Sequence, residues 1–381
     1  MRAADARGAE PVQAGEAAQL SQALPERETA AAGEHPAAHT KSAGDGLAKG
    51  YAPSVSVVIP CYNEERFIGK VLENLAAQYS SQRYEIIVVD GQSTDRTREV
   101  ISDFTVRHPE LRVRLVDNPA RYIPVGLNLG IREAHNEIIV RMDAHSVPSE
   151  NYVRRCVEVL GDGEAAVVGM PWRIRAGAQT LAARAIALAV SHPFGIGDAK
   201  YRLTNSPSQV VDTVPFGAFR KRLWEELGGF NEELLANEDY DFHYRVRLGG
   251  GRILLDTAGH SVYFARPDFR ALATQYSRYG RWKAQMIKLH PESIRLRQLV
   301  APGFVVSLVL LATLGVWWKL SLVALAALLV VYGSLACVCA LRLARKAGDV
   351  RLIPAICLAF LIIHLAWGSS FLLGLVHSPR R

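Results

Sequence analysis

The stretch VSVVIPCYNEERFIGKVLENLAAQYSSQRYEIIVVDGQSTDRT, residues 55–97, decides the fold. Two short β-branched runs, 55–60 and 84–90, enclose a segment, 64–78, whose apolar residues recur at helical spacing. The second run leads into TDRTREVISDF, which we expect to form a helix capped by Thr94. A strand, a helix and a strand in this order indicate two parallel strands joined by a crossover helix.

The same alternation continues along the chain. VRLVD (113–117), PVGLNLGIREAH (124–135) and EIIVRMD (137–143) predict a strand, a helix and a strand. Further on, the sequence predicts the strands 165–170 and 252–256 and the helices 238–248 and 268–289. The segment 172–216 has too many Pro, Gly and Ser breaks to assign. We predict an α/β fold with a Rossmann-like sheet, mixed but mostly parallel, flanked by helices. Ligands of such sheets bind beyond the carboxyl ends of the strands.

Three long segments without Asp, Glu, Lys or Arg lie near the C-terminal end: Gln298–Trp318, Leu320–Leu341 and Leu352–Pro379. Because about 20 apolar residues span a bilayer core, we predict three transmembrane helices at about 300–318, 320–341 and 353–376. The basic loop RLARKAGDVR (342–351) predicts that this loop and the preceding domain face the cytoplasm. Core helices of a soluble protein are the alternative. An even number of spans, with the C-terminal end on the cytoplasmic side, also stays open.

The composition of the remaining chain predicts its domain organisation. Residues 1–50 are rich in Ala, Gly, Glu and Gln, which predicts a disordered extension, with a solvated helix as the alternative. This segment has no apolar core typical of a signal peptide. We therefore predict a disordered region (1–50), a catalytic domain (51–290) and a membrane domain (291–381).

Charge and cysteine content exclude several function classes. The chain carries a net charge of +7, but the part from Arg295 onward holds nine Lys or Arg and one acid. The basic residues thus flank the apolar segments, and the preceding part is almost neutral, so we expect no nucleic-acid partner. The five cysteines form no CxxC pair, which argues against a disulfide framework or a zinc site.

Two polar clusters follow the first two predicted strands. In PCYNEE (60–65), Tyr62 and Glu64 are placed to meet a base or a ribose. The alternative is a turn before a helix, with Asn63 as its cap. In VVDGQSTDRT (88–97), Asp90 ends a strand and Gly91 allows a ligand to approach the backbone. Neither cluster alone distinguishes a binding site from an ordinary strand-to-helix turn.

A third cluster, VRMDAHS (140–146), ends another buried strand. Alternation along that strand predicts that Asp143 and His145 point the same way. A carboxylate and an imidazole on one face can bind a Mn²⁺-like ion whose other ligands are water and diphosphate oxygens. A hydrogen-bonded Asp–His pair without a metal is the alternative.

The fourth cluster is NEDYDFHYR (237–245). Asn237 is a candidate helix cap, and Glu238, Asp239 and Asp241 fall in the first turn, where acids also favour the helix dipole. An acid beside a metal–diphosphate site can instead act as a general base. It would accept the proton of an acceptor hydroxyl.

The order and spacing of the four clusters resemble the family 2 glycosyltransferases of GT-A fold, over roughly residues 54–285. The segments VVDGQSTD, NPARYIPVGLNLG, VRMDAHS, NEDYDFHYRVRLGGGRI and QYSRYGRWK are most similar to bacterial exopolysaccharide transferases of the succinoglycan-biosynthesis ExoA type. The resemblance implies an inverting transfer of one sugar from a nucleoside-diphosphate sugar, with UDP as the expected nucleotide, to a lipid-linked saccharide. It implies a divalent cofactor, Mn²⁺ or Mg²⁺. It also implies exopolysaccharide or cell-surface glycan synthesis by a multi-pass protein of the bacterial inner membrane, with other glycan-assembly proteins as candidate partners.

The resemblance also implies roles for individual residues. The nucleotide sugar would be held by Pro60, Tyr62, Glu64, Asp90, Ser93, Asn128 and Asp143. Asp143 and His145 would take the place of the metal-binding D-x-D motif, and Asp239 that of the catalytic base. The acceptor would meet Glu238, Arg281 and Trp282, although Trp282 is equally suited to core or membrane-interface packing.

Two positions depart from the family pattern. His145 stands where the family generally has a second Asp, which leaves the preferred metal open. RYGRW (278–282) resembles the Q-x-x-R-W motif of processive synthases, but Arg278 replaces the Gln, which favours transfer of a single sugar. A polyprenyl-phosphate sugar synthase and a processive synthase of the same fold remain alternatives. A non-catalytic membrane scaffold of a glycan-assembly complex is an alternative of another class. A dinucleotide-binding enzyme is disfavoured because no GxGxxG follows the first strand.

Overall fold

The computed structural model describes residues 54–78, 84–203 and 207–377. The predicted extension 1–50 lies outside these residues. An eight-stranded sheet has the order β3-β2-β1-β4-β9-β6-β10-β8. Its strands are β1 (Val55–Cys61), β2 (Tyr84–Asp90), β3 (Arg112–Asp117), β4 (Ile138–Arg141), β6 (Val167–Gly169), β8 (Gln209–Val210), β9 (Ala218–Arg220) and β10 (Ile253–Leu255). A small sheet has the order β5-β11-β7, formed by β5 (Val147–Pro148), β7 (Trp172–Arg175) and β11 (Ser261–Phe264).

The large sheet is mixed and mostly parallel, as predicted. β1 pairs in parallel with β2 and β4, β2 with β3, and β6 with β10. β9 runs antiparallel to both of its neighbours, and β8 is antiparallel to β10. Cys61 pairs with Asp90, and Asp90 pairs with Asp117, so the carboxyl ends of the first three strands are level. The residues that follow these strands therefore meet at one edge of the sheet.

Helices cover both faces of this sheet. They are α1 (Ile68–Ala76), α2 (Thr97–Arg107), α3 (Ile123–Glu133), α4 (Tyr152–Gly161), α7 (Lys221–Glu226) and α8 (Glu238–Leu248). Because strand side chains alternate, Val57 and Ile59 pack with α1, α2 and α4. Val58 points to the other face, where it packs with α3, α7 and α8. Apolar cores thus cover both faces of the sheet, which leaves its carboxyl edge to carry a site.

Two helix starts differ from the sequence prediction. α1 begins at Ile68, so Asn63 and Glu64 lie in the turn before it, and the Asn63 side chain bonds to Thr94. α2 begins at Thr97, so Thr94 is not its cap. The N-cap residue is Arg96, whose side chain makes no capping bond, and the Asp95 carboxylate accepts a hydrogen bond from the Thr97 amide at 3.0 Å. Both clusters thus form longer connecting loops than the sequence pattern predicted.

The unassigned segment 172–216 lies partly against the C-terminal helices. It contains β7, α5 (Leu181–Ala189), α6 (Pro193–Ile196), a 3-10 turn at Lys200–Arg202, and β8. α5 and α6 share an apolar cluster with α9 (Phe269–Leu289) and α12 (Leu352–Val376). The predicted helix 268–289 is confirmed, and Asp268 caps it through the Ala271 amide at 2.8 Å.

Three C-terminal helices are long and apolar enough to cross a membrane: α10 (Arg297–Leu314), α11 (Lys319–Lys346) and α12. α10 ends before the predicted boundary at residue 318, because Val316–Trp318 form the turn into α11. Large apolar side chains of α10 and α11 are exposed, whereas α12 is partly covered by α9 and α5. The division of the chain at residue 290 stays a prediction, because α9 packs directly on α12.

Candidate active site

A pocket opens at the carboxyl edge formed by β1, β2 and β4. It is lined by Pro60, Cys61, Tyr62, Glu64, Val89, Gly91, Asn118, Arg121, Tyr122, Ile123, Asp143, Ala144 and His145. Five of the residues predicted from the sequence, Pro60, Tyr62, Glu64, Asp143 and His145, thus meet in one place. They come from two segments about 80 positions apart in the sequence.

Asp90 and Ser93 hold the loops that form one wall of the pocket. The buried Asp90 carboxylate accepts from the Ser93 hydroxyl at 2.5 Å and from Arg98 Nη1 at 2.7 Å. Ser93 Oγ in turn accepts from the amide of Asn63 at 2.9 Å. Asn63 has a φ of 54°, a left-handed conformation that Asn tolerates better than most residues. Asp90 is therefore engaged within the protein, and its predicted contact with a nucleotide stays a prediction.

Asp143 and His145 both line the pocket, but the alternation argument behind that prediction was wrong. β4 ends at Arg141, so both residues lie in the turn after the strand, which the Ser146 amide closes on the Asp143 carbonyl at 3.1 Å. His145 Nδ1 lies 2.9 Å from Glu64 Oε1. Partial burial lowers the pKa of His145, but the Glu64 carboxylate outweighs it and raises that pKa to about 9. The turn, and not strand alternation, brings the two side chains together.

The donor set suits a divalent cation. Glu64 accepts from Nδ1 and orients the imidazole, so an ion would bind at Nε2 in place of the proton that the raised pKa keeps there. The Asp143 carboxylate, 29% exposed, lies in the same pocket. Within residues 54–78, 84–203 and 207–377, no group of three or more His, Cys, Asp or Glu could hold an ion alone. An ion here would therefore need oxygen ligands from water and a diphosphate, which is common for Mg²⁺ and Mn²⁺.

Arg141 is a site residue that the sequence reasoning missed. It is 8% exposed, and its Nη1 lies 3.0 Å from Glu238 Oε1 while Nη2 lies 3.6 Å from Asp143 Oδ1. Burial raises the pKa of Glu238 to about 7, against the opposing effect of Arg141. One buried guanidinium thus joins the turn of residues 143–146 (the metal-motif turn) to the first turn of α8. A charged residue at the end of the buried strand IIVR (138–141) was the signal, because a buried charge requires a partner.

The first turn of α8 places Asp239 beside these charges. Asn237 is the N-cap residue, with φ 66°, but its side chain makes no capping bond, contrary to the capping alternative. Asp239 Oδ1 accepts from the amide of Tyr240 at 2.7 Å. Asp241 faces elsewhere and pairs with His290 and Arg245, each at 2.8 Å. Glu238 and Asp239 are therefore the two acids of this helix near Arg141, whose pKa they both raise.

Asn128 is not one of the pocket-lining residues. Its Oδ1 accepts from Trp224 Nε1 at 3.1 Å and from the Phe230 amide at 2.9 Å, and its Nδ2 donates to the Phe230 carbonyl at 2.8 Å. The pocket wall is instead completed by Asn118 and Arg121, which the sequence reasoning missed. Asn118 directly follows β3, so the same rule that selected Asp143 could have found it.

The predicted acceptor residues lie on α8 and α9. Trp282 is 9% exposed and packs with Tyr240, Tyr244 and Met286, whereas Arg281 is exposed. Beside them, Gln275 is oriented to accept hydrogen bonds from the hydroxyls of Tyr263 and Tyr279 and from Arg266. The spacing Gln275-x-x-Arg278 is a second register of the Q-x-x-R pattern that the sequence reasoning did not consider.

Comparisons with known proteins agree with this geometry. A family model described as "Glycosyl transferase family 2" matches residues 56–228. The succinoglycan biosynthesis protein ExoA of Rhizobium meliloti is 30% identical over 338 residues, covering 85% of this chain and 96% of that protein. A dolichyl N-acetyl-α-D-glucosaminyl phosphate glucuronosyltransferase of Methanococcus voltae is 25% identical, covering 61% of this chain and 74% of the relative.

A solved structure shares the architecture. A mannosyltransferase from Pyrobaculum calidifontis, solved in complex with GDP-Man and Mn²⁺, superposes with a TM-score of 0.57 at 22% identity. The superposition covers 85% of this chain and 88% of that protein. This likeness concerns the fold and confirms the predicted GT-A architecture.

Proposed function

Because this chain belongs to glycosyl transferase family 2 and acts on nucleotide sugars, we propose that it transfers one sugar from a UDP-sugar to a lipid-linked saccharide, with inversion at the anomeric carbon. The observation that carries the proposal is the pocket in which Tyr62 and Glu64 meet Asp143 and His145. A nucleoside diphosphate would lie across the carboxyl edge, with its base near Tyr62 and its phosphates near Asp143. Gly91, Asn118 and Arg121 line the same wall.

The residues present fit a divalent metal, and Asp143 and His145 would hold it. When bound, the ion would stabilise the charge that develops on the departing diphosphate. The solved mannosyltransferase complex with Mn²⁺ supports this requirement. Glu64 fixes the orientation of the His145 ring through the 2.9 Å contact at Nδ1. Arg141 contacts both Asp143 in the metal-motif turn and Glu238 in α8, and so keeps these two parts of the site at a fixed separation.

Asp239 would accept the proton of the attacking acceptor hydroxyl. It lies in the first turn of α8, next to Glu238, which Arg141 ties to the metal-motif turn. Direct attack by that hydroxyl on the face opposite the diphosphate inverts the anomeric configuration. Glu238, Arg281 and Trp282 would then form the acceptor-binding side of the site, where Trp282 packs against Tyr240 and Tyr244 of α8.

The acceptor side and the apolar helices support a membrane location. α10, α11 and α12 would anchor the protein in a bacterial inner membrane, with the catalytic domain on the cytoplasmic side. One relative acts in succinoglycan biosynthesis and another on a dolichyl-linked sugar phosphate, which supports a polyprenyl-diphosphate-linked saccharide as acceptor. Exopolysaccharide or cell-surface glycan synthesis follows from such an acceptor, and further glycan-assembly proteins would be its partners.

The test is a turnover assay on the detergent-purified chain, with a panel of nucleotide sugars, a bacterial lipid extract and Mn²⁺ or Mg²⁺. We expect metal-dependent turnover of one donor, loss of transfer in Asp239→Asn, and unchanged nucleotide affinity in that variant. Asp103→Asn, an exposed acid on α2, is the matched control and should transfer normally. Absence of nucleotide binding by the folded wild type would refute the proposal.

A further inference from the structure

A cluster of arginines and aromatic rings lies between the pocket and the apolar helices, and the mechanism above does not use it. Trp172 stacks on Tyr263 with ring centroids 4.1 Å apart and planes 4° from parallel. Arg202 lies against both of these rings, with its Cζ 4.7 Å from the centroid of Trp172 and 5.5 Å from that of Tyr263. The cluster is joined to α9, where Tyr279 and Arg278 belong to it.

The register of the small sheet places this cluster next to the pocket. β11 runs antiparallel to β5 and pairs Val262 with Val147, which sets Tyr263 beside the turn that carries His145. Burial raises the pKa of the Tyr263 hydroxyl, but Arg266 and Arg202 outweigh burial and lower it, and His145 lowers it further. The cluster thus carries positive charge within electrostatic reach of the metal-motif turn.

The other side of the cluster points toward the predicted membrane. Arg202 ends the 3-10 turn that follows α6, and the Phe194 carbonyl of α6 lies 2.9 Å from His364 Nε2 of α12. Tyr276 of α9 packs in the apolar cluster that α5 and α12 share. A ligand that reaches from the bilayer surface to Asp239 would therefore pass this cluster.

Several hydrogen-bond donors of the cluster have no acceptor. Arg202 is 6% exposed, and its Nη1 has no hydrogen-bond partner. The same is true of the buried Nε1 of Trp172 and the buried Nε of Arg278. The contacts that the structure shows for these two guanidinium groups are with aromatic rings. A buried guanidinium without a carboxylate is costly, because cation–π contacts offset only part of its lost hydration.

We propose that Arg202, Trp172 and Arg278 form a binding site for the phosphoryl group of the acceptor's lipid carrier. Guanidinium groups bind phosphate through two N–H donors at once, and the indole N–H adds a third direction. The site would hold the charged end of the carrier at the membrane side, while the sugar end reaches Asp239. This inference deepens the proposed function and rests on it for the identity of the acceptor.

Binding of defined lipids to the detergent-purified full chain tests the site directly. The probes are a C15 isoprenyl diphosphate, the corresponding isoprenyl alcohol and inorganic diphosphate, measured by titration calorimetry in EDTA. EDTA keeps the metal-dependent nucleotide pocket from competing for the diphosphate. We expect the isoprenyl diphosphate to bind about ten-fold or more tightly than the alcohol, since the alcohol lacks the charged oxygens that the guanidinium groups would bind. Equal affinities for the two lipids would overturn the proposal without any variant.

Variants then assign the preference to residues. Arg202→Met should bring the affinity for the isoprenyl diphosphate down to that of the alcohol, and Trp172→Phe should lower it several-fold while keeping an aromatic ring. Arg173→Met, an exposed arginine on the same strand as Trp172, is the matched control and should bind as the wild type does. Wild-type affinity in a folded Arg202→Met protein would refute the assignment. If that variant does not fold, Trp172→Phe and the two-lipid comparison decide.

Two further results separate the possible explanations. Inorganic diphosphate that binds as tightly as the lipid diphosphate would mean that the site takes a free anion, which contradicts an acceptor role. UDP affinity with Mn²⁺ is measured on the same preparations. If the wild type binds UDP but does not prefer the isoprenyl diphosphate over the alcohol, this inference alone is refuted. If it does not bind UDP, the proposed function is refuted.

Discussion

Removal of the Arg141 guanidinium should destabilise the catalytic domain strongly, and removal of its partner's charge should reverse most of the loss. Arg141→Met leaves the carboxyl group of Glu238, which is 5% exposed, without its 3.0 Å ion-pair partner, so that it must take up a proton or stay charged in a buried site. Breaking one side of such a pair costs about 3–5 kcal/mol. Because 1 kcal/mol shifts the melting temperature of a domain of this size by about 2–4 °C, a drop on the order of 10 °C is expected.

The double variant Arg141→Met with Glu238→Gln removes both charges and keeps a similar side-chain volume. It should recover most of the lost melting temperature, because replacing a whole buried pair by neutral groups is often close to neutral in free energy. The assay is thermal unfolding of the detergent-purified chain, followed by tryptophan fluorescence.

The matched control is Arg154→Met. Arg154 lies 3.9 Å from Glu158 in an exposed pair on α4, which contributes less than about 1 kcal/mol. Its melting temperature should stay within a few degrees of the wild-type value. If the double variant is as unstable as Arg141→Met, Glu238 is not the charge that Arg141 neutralises. The account of how β4 and α8 are joined would then be wrong.

Three further predictions test other parts of the structure. Ser93→Ala removes the hydroxyl that ties the two pocket loops, so it should raise the KM for the donor several-fold and cost about 1–2 kcal/mol in unfolding free energy. Burial lowers the pKa of Lys283 to about 7. The unfolded chain therefore holds more protons, and stability should rise between about pH 7 and 10.5, by at most about 1.4 kcal/mol per pH unit. Lys283→Met should flatten this rise in a pH series of urea unfolding curves, and an unchanged slope would contradict the assignment. The Sγ atoms of Cys337 and Cys357 are 3.8 Å apart on α11 and α12, so a membrane-permeant thiol oxidant should join the tryptic fragments on either side of the loop 342–351. Cys357→Ser should abolish that cross-link and Cys339→Ser should not.

The parts of the fold that the sequence predicted are those with strong local patterns. The short β-branched runs at 55–60 and 84–90, separated by a helical segment, indicate strands of a covered parallel sheet, and the rule that ligands bind beyond strand ends then selected Tyr62, Glu64 and Asp143. The apolar C-terminal helices were also predictable, because the length of an apolar segment and its lack of charged residues can be read directly from the local sequence. Boundaries were less accurate, as at α2, where Asp95 and not Thr94 supports the first turn.

The features that the sequence did not predict depend on contacts between distant segments. The partner of Arg141 is Glu238, almost a hundred residues away, and no local pattern links the two. In the sequence, Asn118 and Asn128 are equally plausible as pocket residues. Only the packing of α3 on the segment 224–230 shows that the Asn128 side chain is bonded to Trp224 and Phe230 instead. The segment 172–216 was unreadable because α5 and α6 are ordered by α12, which lies more than 150 residues further along the chain.

The central claim is that the carboxyl-edge pocket binds a nucleoside diphosphate through a metal held by Asp143 and His145. The most direct measurement is calorimetric titration of UDP and GDP into the wild type and Asp143→Asn, with Mn²⁺ and with EDTA. We expect Mn²⁺ to strengthen nucleotide binding about ten-fold or more in the wild type, and Asp143→Asn to lose this dependence while remaining folded. Nucleotide affinity that ignores Mn²⁺ in the wild type, or an Asp143→Asn variant that responds to Mn²⁺ as the wild type does, would contradict it.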